Sequence, residues 1–527
     1  MAVLLADAVA DRPDAAAIVD DRGTTTWAEL DDRVERLVHA LRASGIASGD
    51  RVATMLGNQA EMIEVSLACA HGGWVLVPLN WHLVADEVAY VLADSGATAV
   101  VTDGRWAEVV TAAVGLADQH ADVGPISLSL SLLAGETLHP DFESYEDLLS
   151  STEGGAIVDA ERGGPMFYTS GTTGRPKGVR SMLSQVGGAP ELFTLIAHSS
   201  RPTLELPSDG GGVQAVCGPL YHSAQWVFAH FALFCGATVV LQHRFDGAEL
   251  LGLIDEHGVT NMHLVPAQMV RLLDLPDDVR SRFDGSTLRS VIHGAAPCAP
   301  DVKRRMIEWF GPVITEYYGG TEGGFISVIT ASEWLERPGS VGKPLPVVEV
   351  RIGDADGAVL PGGETGDIWF RSLLGSDFEY HNAPDKTAAA HREGWGTLGD
   401  IGHLDDEGYL FLSDRRIDMI VSGGVNIYPA EIEGALVEHA AISDAAVFGI
   451  PHDEMGEAVR AAVVLAPGVD WSADTEAEVA AFCRTRLAGY KQPRSFEVHD
   501  ELPRSAAGKL TKRTLRDPWW ADRDRAI

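Results

Sequence analysis

Several kinds of residue and segment are scarce in this chain of 527 residues, and each scarcity excludes a class of protein. The five cysteines are scattered, without a CxxC pair or a paired histidine spacing, which argues against a disulfide framework or a zinc site and fits a reducing cytosol. The N-terminus lacks a basic leader and is interrupted by Asp7, Asp11 and Asp14, so no signal peptide is expected. No apolar run approaches the roughly 20 residues that cross a bilayer. We expect a soluble, cytoplasmic protein.

Basic residues are also few. The 40 lysines and arginines stand against 76 aspartates and glutamates, which gives a formal net charge of −36. Such a surface repels phosphate backbones and anionic lipids, so neither nucleic acid nor a membrane is an expected partner. An anionic ligand would need a local patch of donors, basic groups or a metal ion.

The chain is long enough, and with 46% hydrophobic residues apolar enough, to build more than one core. Thr26 and Glu29 have the spacing of a capping box, and an apolar stripe through Leu30, Val34 and Leu37 follows, so a helix is predicted to begin there.

From about residue 213, short apolar runs alternate with segments of helical length. The predicted strands lie within VQAVCGPL, ATVVLQ, TNMHLVP, LRSVIHG and PVITEYY, and the predicted helices span 224–235, 247–257, 266–275 and 300–310. This alternation predicts an α/β fold with mostly parallel sheets covered by helices. Ligands of such sheets bind beyond the carboxyl ends of the strands. The loops expected there are Tyr221–His222, Gly294–Pro297 and Gly319–Glu322.

The pattern changes twice towards the C-terminus. Short strands with tight turns at 351–413 predict a β-rich subdomain, and a compact tail with its own strand and helix signals follows Asp414. We predict a boundary at 414–418, with a large N-terminal body at 1–414 and a small, mobile α+β domain at 415–527. A cleft between two such bodies is a common ligand site.

The strongest local signal is the segment Tyr168–Val179. Its glycines allow close backbone approach to a ligand, its hydroxyls add donors, and its lysine adds charge, which together suit a polyphosphate. The residues concerned are Thr169, Ser170, Gly171, Thr172, Thr173, Gly174, Lys177 and Gly178. The spacing is not that of a Walker A loop.

This segment resembles the phosphate loop of the adenylate-forming superfamily, which includes acyl-CoA synthetases, peptide-synthetase adenylation domains and beetle luciferases. Further blocks similar to that family follow in order over nearly the whole chain: YGGTEGG at 318–324, GETGDIWFRS at 363–372, GWGTLGDIGHLDDEGYL at 394–410, SDRRIDMIVSGGVNIYPAEIE at 413–433 and LPRSAAGKL at 502–510. The resemblance implies an AMP-forming acyl-CoA ligase that uses ATP, Mg²⁺ and CoA. A second copy of the chain, in a homodimer, is the one protein partner we consider.

The resemblance also implies roles for individual residues in the nucleotide site. The loop at 169–177 would hold the β- and γ-phosphates, Thr321 the α-phosphate, and Glu322 Mg²⁺, for which a carboxylate oxygen is a suitable ligand. Asp400 would accept bonds from the ribose hydroxyls, with Arg415 nearby. The adenine pocket would comprise Gly294, Ala295, Ala296, Tyr318 and Gly319.

Two half-reactions are implied. Lys509, on the small domain, would bridge the carboxylate and the α-phosphate during adenylation. The small domain would then rotate and present Ser422, Gly423 and Gly424 beside a pantetheine tunnel, with His222 between that tunnel and the acyl pocket. The family's hinge residue is usually Lys or Asp, whereas this chain has Ile417, so we expect intact adenylation and a slower thioester step.

The acyl pocket is expected to be apolar. Its implied lining comprises the segment Tyr221–Phe228, with Tyr221, Gln225, Trp226 and Phe228, residues near Val265 and Pro266, and Gly320, Gly323, Gly324 and Phe325. No acidic residue stands where an α-amine would be held, which favours a fatty, aryl or polycyclic acid over an amino acid. Three alternatives stay open: transfer to a separate carrier protein, luciferase-like oxidation, and a catalytically silent nucleotide-binding protein.

Overall fold

The computed structural model describes residues 2–120, 123–169, 176–206, 211–296, 298–354, 357–415, 418–422, 425–452, 455–487, 489–504 and 510–521. Strands and helices within these ranges are numbered in chain order. The predicted capping box is confirmed at the first long helix, Trp27–Ala43, where Thr26 accepts a hydrogen bond from the Glu29 amide and Glu29 accepts one from the Thr26 amide at 2.8 Å.

The strands are β1 Ala16–Asp20, β2 Gly23–Thr26, β3 Arg51–Met55, β4 Val75–Pro78, β5 Ala99–Asp103, β6 Leu130–Ala134, β7 Glu143–Ser144, β8 Gly164–Pro165, β9 Phe167–Thr169, β10 Lys177–Arg180, β11 Val213–Val216, β12 Thr238–Leu241, β13 Asn261–Leu264, β14 Ser290–His293, β15 Ile314–Gly320, β16 Gly324–Thr330, β17 Ser340–Pro344, β18 Val348–Gly353, β19 Gly366–Ser372, β20 Glu379–Tyr380, β21 His391–Arg392, β22 Trp395–Gly396, β23 Asp400–Leu404, β24 Leu410–Arg415, β25 Ile420–Ser422, β26 Val425–Ile427, β27 Ile442–His452, β28 Gly456–Leu465 and β29 Ser495–Val498.

The α-helices are α1 Ala6–Asp11, α2 Trp27–Ala43, α3 Ala60–Gly72, α4 Ala85–Ser95, α5 Ala107–Gly115, α6 Tyr145–Ser151, α7 Leu192–Leu204, α8 Ser223–Phe234, α9 Gly247–His257, α10 Pro266–Leu273, α11 Asp277–Arg280, α12 Pro300–Phe310, α13 Ala331–Glu336, α14 Pro384–Ala389, α15 Pro429–Val437, α16 Ala473–Arg486 and α17 Lys512–Arg516.

Two parallel arrays form the N-terminal body. The first has the order β7-β6-β5-β3-β4-β8, and its neighbours pair in parallel. Strand β5 is buried along its whole length, as expected for a strand covered on both faces. The second array runs β1-β12-β11-β13-β14-β15, also in parallel. The mostly parallel α/β architecture expected from the sequence is therefore correct.

The second array positions the site, because its loops meet at one edge of the sheet. The predicted strands at 213–320 correspond to β11 to β15, and the predicted helices to α8, α9, α10 and α12, with ends shifted by one or two residues. The carboxyl ends of β11, β13, β14 and β15 lead to Tyr221, Val265, Gly294 and the 320–324 turn.

A β-rich region continues from this array, as expected. Strand β15 pairs antiparallel with β16, and the path continues through β17, β24, β23, β19, β22 and β21. A separate small sheet, β20-β10-β9, places residues near 380 beside the 169–177 segment.

The chain after residue 418 has its own sheet and core. Strands β26, β25, β28 and β27 pair in that order, with β29 on β28. Ile420, Ile432, Leu436, Val447 and Val463 are fully buried in this core. The α+β character of this unit agrees with the expectation, and the boundary at 414–418 stays a prediction. Across the described ranges, no helix combines the length and the apolar character that a membrane crossing requires.

Candidate active site

The phosphate-loop segment forms a β-hairpin on the small sheet. Thr169 on β9 is the antiparallel partner of Lys177 on β10, so both ends of the loop are fixed by strand pairing. The middle of the predicted cradle, namely Ser170, Gly171, Thr172, Thr173 and Gly174, lies outside the described residues.

The ring of Tyr380 links Lys177 to Glu322, another residue of the predicted nucleotide site. Its ammonium lies 4.8 Å from the centroid of the Tyr380 ring, and the Tyr380 hydroxyl donates a hydrogen bond of 3.1 Å to Glu322 Oε1. Burial and Lys386 lower the pKa of Lys177, while the charge of Glu322 raises it. Cation, ring and carboxylate therefore occupy one small region.

Thr321 and Glu322 lie on a tight turn between β15 and β16. Gly320 pairs with Gly324 across the hairpin, which leaves Thr321, Glu322 and Gly323 in the loop. The Thr321 hydroxyl contacts the Ser223 hydroxyl, in the first turn of α8, at 2.9 Å. The turn and the start of α8 thus place two hydroxyls and one carboxylate together.

Two residues of the predicted nucleotide site, Tyr318 on β15 and Asp400 on β23, are in direct contact. The Tyr318 hydroxyl donates a hydrogen bond of 2.8 Å to Asp400 Oδ2, and both side chains are buried. Ala295, in the loop after β14, has a φ of 66°, a left-handed conformation that non-glycine residues rarely adopt. A side chain at Gly294 would collide with the ring of Tyr317. A strained loop next to a buried tyrosine–aspartate pair is typical of a ligand site.

Several predicted contributors of the small domain are not placed. Gly423, Gly424, Ile417 and Lys509 fall among the residues that the structure does not describe, and so does the side chain of Arg415, at the end of β24. Their roles stay predictions.

The residues expected to line the acyl pocket occupy two environments. Tyr221 and His222 directly precede α8, and Gln225 is in its first turn. Val265 directly follows β13, and Phe325 is the second residue of β16. Trp226 instead faces the interior, where its Nε1 donates a hydrogen bond of 2.7 Å to Ser66 and its ring stacks on His230 at 4.2 Å.

The turn glycines Gly320, Gly323 and Gly324 have different surroundings. A side chain at Gly323 would meet the Phe370 ring at 2.7 Å, whereas at Gly324 it would find open space.

Sequence reasoning missed three side chains that contact the predicted ones: Tyr380, His263 and Tyr317. Tyr380 lies in no motif, and only the pairing of β20 with β10 brings it to Lys177. His263 and Tyr317 stand near the carboxyl ends of predicted strands, so the rule that placed the loops there was a usable signal for both.

The metal-binding capacity of the site rests on Glu322. Within the described ranges, no group of three or more His, Cys, Asp or Glu side chains could hold an ion on protein ligands alone. Mg²⁺ needs no such cage, since it is usually held by one or two carboxylates together with water and substrate phosphates. Glu322 beside Lys177 fits that pattern.

The described residues bring together Lys177 at the end of a hairpin, the Glu322 carboxylate on a neighbouring turn and the buried Tyr318–Asp400 pair. This arrangement, on an α/β body followed by a small α+β unit, agrees with an ATP-dependent adenylate-forming ligase. The chain belongs to the AMP-binding enzyme family: the family model matches residues 5–374, and the model of the AMP-binding enzyme C-terminal domain matches 431–509.

The relatives of this chain act on different acids and acceptors. A feruloyl-CoA synthase from Amycolatopsis sp is 34% identical over 508 residues, covering 96% of this chain and 96% of that protein. The fatty acid–[acyl-carrier-protein] ligase ScoC from Streptomyces coeruleorubidus is 32% identical, over 98% of this chain and 95% of that protein. The crystal structure of ATP-bound MatB from Rhodopseudomonas palustris superposes with a TM-score of 0.82 at 29% identity, covering 99% of both chains.

Proposed function

We propose that this chain is an AMP-forming carboxylate–CoA ligase for a hydrophobic carboxylic acid. In the first step the carboxylate oxygen attacks the α-phosphorus of ATP, and pyrophosphate leaves. In the second step the CoA thiol attacks the acyl carbon, and AMP leaves. The observation that carries this proposal is the grouping of Lys177, Tyr380 and Glu322 beside the Thr321–Ser223 contact.

The first step requires neutralisation of crowded negative charge. The hairpin at 169–177 would hold the β- and γ-phosphates, with Lys177 as its fixed cation. Glu322 would hold Mg²⁺, which supplies positive charge to the triphosphate oxygens when bound. Thr321 would donate to the α-phosphate, and Lys509 would approach the reacting oxygens from the small domain.

The nucleoside would be oriented by the Tyr318–Asp400 pair. Asp400 accepts a hydrogen bond from Tyr318 through Oδ2, and we propose that its carboxylate also accepts hydrogen bonds from the ribose hydroxyls. Adenine would lie against Tyr318 and the Gly294–Ala296 loop, where the absence of bulky side chains leaves room for a flat base.

The second step would follow rotation of the small domain. Removal of Lys509 from the reacting centre would make room for the thiol, and Ser422, Gly423 and Gly424 would lie beside the pantetheine arm. His222 precedes α8 and would separate the tunnel from the acyl pocket.

A carrier-protein thiol is the second candidate acceptor. The relative from Streptomyces coeruleorubidus, 32% identical to this chain, is a fatty acid–[acyl-carrier-protein] ligase. Because adenylation is common to both candidates, the two differ only in the second step.

A screen of carboxylic acids by ATP-dependent pyrophosphate release tests the first step. We expect release only with Mg²⁺ and an acid, and its loss in Glu322→Gln. The best acid is then supplied with CoA or with a phosphopantetheinylated carrier protein while AMP is measured. Faster AMP release with CoA supports the proposal, and release only with the carrier protein would contradict its second half. Absence of pyrophosphate release with every acid would contradict the first half.

A further inference from the structure

A chain of buried polar side chains lies next to the predicted acyl pocket. Gln225 Nε2 is 2.9 Å from His263 Nδ1, and His263 Nε2 is 3.3 Å from the Tyr317 hydroxyl. All three side chains are at most 7% exposed. They come from α8, β13 and β15, and all stand at the carboxyl edge of the parallel strands.

The aromatic residues around this chain are those expected in the pocket. Phe228 stacks on His263 with ring centroids 4.9 Å apart, and Phe325 meets Tyr317 edge-on at 4.7 Å. Gln225 is also two residues from Ser223, which contacts Thr321 in the adenylation turn. The polar chain therefore lies among residues expected to form the apolar wall, on the same helix as Ser223.

The hydrogen bonds fix the direction of each group. Gln225 Nε2 also donates to the backbone oxygen of His263 at 3.4 Å, and because a carbonyl only accepts, the amide nitrogen must face His263. His263 Nδ1 is then an acceptor, so its proton is on Nε2 and points to Tyr317. Burial lowers the pKa of His263 to about 3, which keeps the ring neutral.

This arrangement leaves hydrogen-bonding capacity unused. Gln225 Oε1 and the Tyr221 hydroxyl are buried and make no hydrogen bond within the described part of the chain. The Tyr317 hydroxyl accepts from His263 and keeps its own proton for donation. Buried polar atoms without partners are rare in folded proteins, so each of these two atoms calls for a partner such as a water molecule or a ligand.

The group that complements these atoms is a hydroxyl. Gln225 Oε1 needs a donor, which excludes a carboxylate and a ketone. An ammonium group would bury a charge against neutral and aromatic side chains, which is costly. A hydroxyl is neutral, donates to an amide oxygen and accepts from a tyrosine.

We propose, on the basis of the function proposed above, that the acid activated by this enzyme carries a hydroxyl group away from its carboxylate, and that Gln225 Oε1 accepts its proton. Gln225 is then a specificity-determining residue rather than part of the apolar wall. The substrate class narrows from a hydrophobic acid to a hydroxylated hydrophobic acid, with Tyr317 and His263 holding the amide of Gln225 in place.

Pairs of acids that differ only by a hydroxyl test this proposal. We expect the full-length enzyme to show a kcat/KM for pyrophosphate release about 10- to 100-fold higher for the hydroxylated member of at least one pair, since a buried group that loses its partner discriminates by this factor. Suitable pairs are para-hydroxycinnamic and cinnamic acid, and ω-hydroxydodecanoic and dodecanoic acid. The preference for the hydroxylated acid is measured on the wild-type enzyme alone.

The variant Gln225→Met tests the residue, because it keeps the volume and removes the acceptor. We expect the ratio for the preferred pair to fall towards one. Gln242→Met is the matched control: Gln242 is also buried and also has an Oε1 without a partner among the described residues, but its amide bonds Asp246 and Glu249 instead of His263. The ratio of this control should equal that of the wild type.

The outcomes separate this inference from the proposed function. If no acid supports pyrophosphate release, the proposed function fails. If acids are turned over but the members of every pair react equally, or if Gln225→Met keeps the wild-type ratio, only the hydroxyl proposal is overturned.

Discussion

At the scale of single residues, the proposed triphosphate site depends on Lys177 and Glu322. The two side chains have opposite charges, and the charge of Glu322 raises the pKa of Lys177. They form no direct ion pair in the described part of the chain, because the ring and hydroxyl of Tyr380 lie between them. A lysine that is held near a carboxylate without pairing with it keeps its donors for a ligand, and the carboxylate keeps an oxygen for a cation.

Tyr380→Phe tests this arrangement. The ring that faces Lys177 is kept, while Glu322 loses its hydrogen-bond donor, and a bond to a charged group is worth about 1.5 kcal/mol or more. We expect acid-dependent pyrophosphate exchange to fall about 10-fold, without a change in the unfolding temperature. Tyr409→Phe is the control, since Tyr409 donates to Glu333 at 3.3 Å away from the site. Equal exchange in the two variants would contradict the role of Tyr380.

Residues of the site were predictable to the extent that a motif contained them. Glu322 and Asp400 stand in glycine-rich blocks with a recognisable order, and the structure places each beside a tyrosine. Tyr380 carries no local signal, because its importance depends on pairing between segments far apart in sequence, whereas the place of His263 near the carboxyl end of a predicted strand was a usable signal. Tertiary contacts of this kind cannot be deduced from composition or periodicity.

At the scale of elements, the β15–β16 hairpin fixes the position of Thr321 and Glu322, the residues proposed to contact the α-phosphate and Mg²⁺. Gly319 pairs with Phe325 at a register shift, and a side chain at Gly319 would overlap the carbonyl oxygen of Gly324. The narrow hairpin therefore depends on this glycine for the position of Thr321 and Glu322.

Gly319→Ala should open the hairpin. We expect a loss of pyrophosphate exchange greater than 10-fold and a free energy of unfolding lower by about 2 kcal/mol or more, since backbone must move. Gly324→Ala is the comparison: its φ of 63° costs about 1 kcal/mol in strain, but nothing lies within 4 Å of the added carbon. If Gly319→Ala shows the same pyrophosphate exchange as Gly324→Ala, the close pairing at Gly319 does not position the turn.

Another element depends on a neutral histidine. His71, on α3, donates from Nδ1 to the Leu67 carbonyl at 2.7 Å and accepts at Nε2 from the Leu4 amide at 3.3 Å. Leu4 belongs to the short 3₁₀ helix Val3–Leu5. A second proton on the ring would replace the acceptor with a donor that faces the Leu4 amide.

Acid should therefore weaken this contact. Burial lowers the pKa of His71 from 6.5 to about 4, so the neutral ring stabilises the folded chain above pH 6.5 and this stabilisation is lost as the pH falls towards 4. Chemical unfolding of the wild type and of His71→Gln across this interval should show a smaller loss in the variant, by at most about 1.4 kcal/mol per pH unit. Identical slopes would show that His71 does not titrate in this way.

Elements were predictable where hydrophobic periodicity and turn residues coincide. The strands between 213 and 320 were placed within a few residues because each buried run is followed by a helix of ordinary length. The first parallel sheet, at 51–165, received no assignment, since buried segments such as α3, which is buried along its whole length, have no amphipathic stripe to separate helix from strand.

The whole molecule consists of a large body and a C-terminal unit with separate sheets and separate cores. The proposed two-step reaction would use two orientations of the C-terminal unit. Ile417, at the predicted hinge, lies beyond the residues that the structure describes. An apolar hinge residue favours one packed orientation, whereas a charged one tolerates solvent in both.

Rapid-quench measurement of the two half-reactions tests the hinge. We expect wild-type acyl-AMP formation to be fast and its consumption by CoA to be slower. Ile417→Lys should accelerate the CoA step several-fold and leave acyl-AMP formation as it is. If the wild type consumes acyl-AMP as rapidly as Ile417→Lys, the claim that Ile417 slows the CoA step is contradicted.

The most direct test of the proposed chemistry is single-turnover formation of acyl-AMP by wild type and Lys509→Ala, with the best acid from the screen and saturating ATP. If the phosphates are held at 169–177 while the small domain supplies Lys509, the variant should still bind ATP but form acyl-AMP at least about 100-fold more slowly, the loss expected for one charge that acts in the transition state. Equal rates in the two proteins, or ATP bound far from the 169–177 hairpin, would contradict it.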